Sequence, residues 1–140
     1  MNDIDAKGKE LYVAAREGLE FAVSRVVSER SDLVNWKNEK GITPLLISCF
    51  KGHSKVVEVL LKNGALINLG MDVAGATPMA IACFMGHEEV VKVLLLNGAK
   101  IDQQVTNCGS TPLFIASYQG HLNVVKLLLR CRASVNKPRS

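Results

Sequence analysis

Residues 41–74 read GITPLLISCFKGHSKVVEVLLKNGALINLGMDVA, and residues 75–108 read GATPMAIACFMGHEEVVKVLLLNGAKIDQQVTNC. The two stretches agree at 17 of 34 positions without a gap. The same spacing runs through the rest of the chain. Pro44, Pro78 and Pro112 lie 34 apart, and so do Gly18, Gly52, Gly86 and Gly120. Gly41, Gly75 and Gly109 repeat the step. A fixed period of this length marks stacked repeats.

Each unit reads as two helices. Gly-x-Thr-Pro opens the first. The threonine hydroxyl can take an amide N–H that the helix leaves unpaired, and proline sits at the first helical position, where its missing N–H costs nothing. Short apolar helices follow over 45–50, 79–85 and 113–118, and Gly52, Gly86 and Gly120 end them with a left-handed turn. The second helix follows Gly-His and carries Val56, Val57, Leu60 and Leu61, with equivalents 34 and 68 residues later. Asn63-Gly64 and Asn97-Gly98 close it. About ten mixed, polar residues then return the chain to the next unit. One unit cannot bury both helices alone, so neighbours must cover each other. The expected fold is all-α: a small curved solenoid of four helix pairs in a single domain, 1–140. Units at 41–74, 75–108 and 109–140 follow a degenerate first unit at about 7–40. There Leu11, Ala14-Ala15, Gly18 and Val26-Val27 keep register, while Lys9-Glu10 replaces Thr-Pro.

Composition agrees with this reading. The 140 residues are 48% hydrophobic, enough for a core, and 21% charged. The longest Val/Leu run is 93–96, far short of the roughly 20 residues of a membrane span. The polar, acidic start shows no basic-then-apolar leader. Cys49, Cys83, Cys108 and Cys131 form no CxxC pair and read as reduced thiols. The expected location is therefore intracellular, in the cytoplasm or the nucleus. Cys49 and Cys83 hold equivalent first-helix positions and read as core; Cys108 and Cys131 read as the more reactive pair.

Nothing in the chain points to catalysis. There is no GxxxxGK[ST], no GxGxxG and no nucleophile elbow. His53, His87 and His121 are all motif positions, one per unit. Packed helix layers lie about 8–10 Å apart, whereas a zinc-bound nitrogen lies about 2 Å from its metal. These histidines read as loop-bonding groups. No catalytic residue, cofactor, metal or small-molecule substrate is expected.

The pattern resembles the ankyrin repeat family. The residues that carry the resemblance are Thr43-Pro44-Leu45, Gly52-His53, Val56-Val57, Leu60-Leu61 and Asn63-Gly64-Ala65, with their equivalents. It covers about 130 residues. It implies helix-turn-helix units joined by hairpin-like fingers. Three departures stand out. The period is 34 rather than the family's 33, with the extra residue between Ala65 and Gly75 and again between Ala99 and Gly109. The family's histidine after Thr-Pro-Leu is replaced by Leu46, Ala80 and Phe114, so its bonds between units are missing and packing must substitute. The fourth unit has Cys131-Arg132 where its neighbours have Asn-Gly.

The resemblance further implies a protein-binding module that holds its partner on the concave face and fingers. By position, the concave surface takes Arg16, Glu17, Phe50, Lys51, Phe84, Met85, Tyr118 and Gln119 from the ends of the first helices. It also takes Ile42, Ala76 and Ser110 from the positions after the finger glycines. The fingers add Trp36, Lys37, Glu39 and Lys40, then Met71, Asp72 and Val73, then Val105, Thr106 and Asn107. Phe50, Phe84 and Tyr118 form an aromatic column at period 34, and aromatic anchors dominate binding hot spots. Two structural roles compete with this: the column could pad the gap between helix ends and fingers, and Trp36 could cover the first unit's core.

Other readings of the chain remain at this stage. Asn68 and Asn136 match the finger-end asparagine that ankyrin repeats can present to an asparaginyl hydroxylase; the alternative is that they cap turns. Residues 41–140 carry ten Lys/Arg against five Asp/Glu, which allows weak binding of nucleic acid or an anionic surface. The last helix keeps the internal pattern Val124-Val125-Lys126-Leu127-Leu128-Leu129, where a terminal unit normally shows a polar face. Either the chain continues naturally, or this face meets a partner or another copy, or Arg130, Arg132 and Lys137 shield it.

Overall fold

Four helix pairs follow one another in the computed structural model, which describes residues 2–72 and 74–135, with side chains as far as Arg132. They are α1 (Asp3–Arg16) with α2 (Glu20–Glu29), α3 (Pro44–Lys51) with α4 (Ser54–Lys62), α5 (Pro78–Met85) with α6 (Glu88–Leu96), and α7 (Pro112–Tyr118) with α8 (Leu122–Val135). The first helices stack α1 on α3 on α5 on α7. The second helices stack in the same order beside them, and each pair also packs on itself. This is the all-α solenoid expected from the period. The described residues contain no strand.

The helix starts follow from the capping chemistry. Thr43 Oγ1 accepts from the Leu46 N–H at 3.1 Å, Thr77 from Ala80 at 3.1 Å, and Thr111 from Phe114 at 3.2 Å. The first unit lacks Thr-Pro, and its cap moves to Asn2, whose Oδ1 accepts from the Asp5 N–H at 2.8 Å. So α1 begins at Asp3, ahead of residue 7, and runs for 14 residues where α3 runs for 8. The helix stops follow too. Asn63 and Asn97 cap α4 and α6, each donating from Nδ2 to a carbonyl one turn back at 2.8 Å. Without that Asn-Gly, α8 continues to 14 residues where α4 and α6 have nine.

The core lies between the two layers. Leu45 and Met79 of the first helices meet Val57, Leu60, Val91 and Leu94 of the second, all buried. Cys49 and Cys83 are buried among them. Their burial opposes the thiolate; it raises the Cys49 thiol and pushes Cys83 up to about 12.

The fingers are tight turns. Each is closed by a main-chain bond: Asn38 N–H to Ile42 O (3.1 Å), Met71 N–H to Ala76 O (3.0 Å), and Val105 N–H to Ser110 O (2.9 Å). The second and third turns span one residue more than the first.

One expectation is corrected. Packing is not the sole link between units, because the Gly-His histidines take over. His53 Nε2 donates to Arg16 O at 3.0 Å, His87 to Phe50 O at 2.9 Å, and His121 to Phe84 O at 2.9 Å. Each bond reaches the last turn of the preceding first helix, whose carbonyls have no partner within the helix. The imidazole needs room to do this. Gly52 has φ +80, and a Cβ there would lie 2.8 Å from the His87 ring; Gly86 stands in the same relation to His121. Loop bonds add to the link: Asn35 Oδ1 accepts from the Leu66 N–H at 2.9 Å and its Nδ2 donates to Gly64 O at 3.2 Å.

Gly64 also has positive φ but faces open space. Gly64→Ala should therefore cost about 1 kcal/mol, the left-handed penalty alone. Gly52→Ala should cost at least about 1 kcal/mol more, because Cβ and imidazole collide. Urea titration should show that excess vanish in a His87→Ala background. Equal costs for the two glycine variants would show that the contact is unimportant.

Candidate functional site

The ends of α3, α5 and α7 and the turns beside them enclose a groove of about 620 Å³. None of its 17 lining residues carries a charge. Ten of the candidate positions line it: Ile42, Phe50, Met71, Ala76, Phe84, Met85, Val105, Ser110, Tyr118 and Gln119. Three units therefore contribute to one continuous apolar surface.

The remaining candidates lie elsewhere. Lys51 stands at the end of α3, with Nζ 5.8 Å from the Phe50 ring centroid. Trp36 and Lys40 line a neighbouring depression of about 600 Å³ with Lys9, Lys37 and Glu39. Ile42 lines both hollows, so they lie side by side. Asn107 lines neither and is exposed on the third finger. Trp36 packs on α1: its ring meets Tyr12 edge-on at 6.4 Å, and Nε1 donates to Asp5 Oδ1 at 3.5 Å. A Cβ at Gly8 would run into the indole, so that glycine lets the ring lie on the helix. Arg16 and Glu17 pair with each other at 3.1 Å.

The aromatic column is open to solvent. Phe50 is 43% exposed, Phe84 51% and Tyr118 79%. Among the described residues these rings do not stack on one another; Tyr118 instead stacks on Phe114 at 6.0 Å. Apolar side chains exposed singly are ordinary, but a contiguous set marks an interaction surface.

Sequence reasoning missed part of the lining. Ile47, Ile81 and Ile115 contribute to it. Each lies three residues before a column aromatic, hence on the same helix face. That spacing was the available signal. Phe114 was read only as a lost histidine, yet it lines the groove and is 57% exposed. Its equivalents Leu46 and Ala80 are buried. The difference arises because α5 and α7 cover those two, while no described element stacks beyond α7.

Asn68 Oδ1 accepts from the Lys100 N–H at 3.2 Å, tying its loop to the next unit. Asn136, Lys137 and Val73 lie outside the described residues. On the last unit Leu122 and Leu129 are exposed, and Arg132 pairs with Asp102 at 3.7 Å. Among the described residues no three His, Cys, Asp or Glu side chains come together as a metal would need. No described helix is long and apolar enough to cross a membrane.

With the geometry established, comparison with known families places the chain. The description "Ankyrin repeats (3 copies)" matches residues 11–105, and "Ankyrin repeat" matches residues 108–139. The chain belongs to the ankyrin repeat family. No curated protein matches it. Ankyrin repeats are in general protein–protein interaction modules.

The groove carries its own reporter. Cys108 lines it and is exposed, and its Sγ lies 3.2 Å from Ser110 Oγ. The hydroxyl and backbone N–H of Ser110 stabilise the thiolate and hold this thiol below its ordinary value. Iodoacetamide should modify Cys108 in the folded protein, and reach Cys49 and Cys83 only on unfolding. The rate at Cys108 should level off at lower pH than for a free thiol. Ser110→Ala should move that profile to higher pH. An unmoved profile would show that the Ser110 hydroxyl does not set it.

Proposed function

We propose that the chain is a non-catalytic binding module that holds an apolar segment of a partner protein in the groove of α3, α5 and α7. The observation that carries this reading is the uncharged lining shared by three units, with Phe50, Phe84 and Tyr118 all exposed along it. An isolated module would gain nothing from leaving these rings in water, since each is worth about 1.5–3 kcal/mol when fully buried. The repeated framework supports the reading as well. Scaffold positions recur from unit to unit, whereas Lys51, Met85 and Gln119 differ at one equivalent position.

Random peptides displayed on phage provide the test. Selection on the wild-type chain should enrich apolar sequences. Phe50→Ala/Phe84→Ala/Tyr118→Ala should lose them by at least tenfold in affinity, as hot-spot truncations of about 1–2 kcal/mol each imply. Its urea midpoint should stay near the wild-type value, because exposed side chains contribute little to folding. Peptides held equally by both proteins would place the binding surface outside the groove.

A further inference from the structure

Resting on the binding role above, we propose that the groove takes its partner segment in the extended polyproline conformation, seating an apolar side chain on each unit at every third residue of the segment. The lining repeats along the stack. Ile47 and Phe50 of α3, Ile81 and Phe84 of α5, and Ile115 and Tyr118 of α7 are the same pair of positions in three units. Met71 and Val105 repeat one finger position in two. The three helices pack directly on one another. Since packed helices lie about 8–10 Å apart, a segment lying along the groove meets an equivalent apolar seat at about that interval.

Chain conformations differ in how often they return a side chain to one face. The polyproline helix does so at every third residue, about 9.3 Å on. A strand does so about every 6.6 Å, and its third residue points to the opposite side. An α-helix turns once in about 5.4 Å; its seventh residue, about 10.5 Å on, overshoots the step and is rotated by about 20°. Main-chain chemistry separates these conformations as well. A bound strand pairs its N–H and C=O groups with an open sheet edge. The described residues contain no strand, and the finger backbones beside the groove are bonded within themselves: Met71 N–H to Ala76 O and Gly75 N–H to Met71 O, then Val105 N–H to Ser110 O and Gly109 N–H to Val105 O. A polyproline segment needs no such edge, because water satisfies its backbone on the open side. Proline suits the positions against the uncharged lining, since it brings no N–H to be desolvated there. Grooves lined by aromatic rings dock segments of this kind, and Phe50, Phe84 and Tyr118 supply one exposed ring per unit.

The probes are the phage-selected peptides and synthetic versions of them. The selected sequences should carry apolar residues three apart and accept proline between them. One glycine inserted between the first two of these anchors should weaken binding by about tenfold or more, because it puts an anchor out of register. The middle anchor should couple to Phe84: changing it to alanine should cost at least about threefold less in affinity against Phe84→Ala than against the wild-type chain. Peptides whose apolar residues fall three and four apart and which lose binding on taking proline would overturn this inference in favour of a helix, and apolar residues at alternate positions would overturn it in favour of a strand. Indifference to the inserted glycine, or a middle anchor uncoupled from Phe84, would overturn it too. Each of these outcomes leaves the groove's role intact. Peptides indifferent to Phe50→Ala/Phe84→Ala/Tyr118→Ala would overturn the groove's role itself.

Discussion

Each imidazole of a Gly-His pair donates across to a carbonyl of the unit before it, and the architecture depends on that contact. A helix ends with carbonyls that have no partner of their own. Here the next unit supplies one three times, from His53, His87 and His121. The ring fits because the residue it passes is glycine, which also supplies the left-handed turn that ends the helix. One residue type thus meets two demands, a backbone conformation and an empty volume. The spacing between first helices is set by this contact together with the buried layer of Leu45, Met79, Val57 and Val91. The groove width follows from that spacing.

The groove is a by-product of stacking that the sequence has left apolar. Short first helices end where the fingers turn, so every unit presents a helix end and a finger base to the same side. In three units those positions hold Phe50, Phe84, Tyr118, Met71 and Val105, without a charge among the lining residues. Charged residues of both signs line the neighbouring depression instead, where Lys9, Lys40, Asp5 and Glu39 stand around Trp36. The indole itself is engaged with Tyr12 and Asp5, so it closes the first unit and forms a wall of the charged depression. That unit needs such a cover because it has no earlier neighbour among the described residues.

Where local chemistry decides, the sequence was legible. Thr-Pro started helices where its capping hydroxyl predicts, and Asn-Gly stopped them. Where it is missing, after residue 130, the helix runs on. The second and third fingers, to which alignment assigned an extra residue, close over one residue more than the first. The histidines were recognised as backbone-bonding groups, but their partner was not. A carbonyl 37 residues away in sequence leaves no local trace. Phe114 was missed for a related reason: exposure depends on what stacks beyond a helix, and position within the repeat does not show it.

By itself the sequence determined the period, the helix starts and stops, the apolar layer and the candidate aromatic column. These follow from interactions within a few residues of each other, or from a spacing that repeats. Only the tertiary structure decided which surfaces join. It brought the isoleucines of α3, α5 and α7 into one hollow with residues of the second and third fingers, and turned Trp36 onto α1. Such arrangements depend on the offset between stacked units, which is set by contacts about 30 or more residues apart in the chain, such as Asn35 with Leu66 and His87 with Phe50.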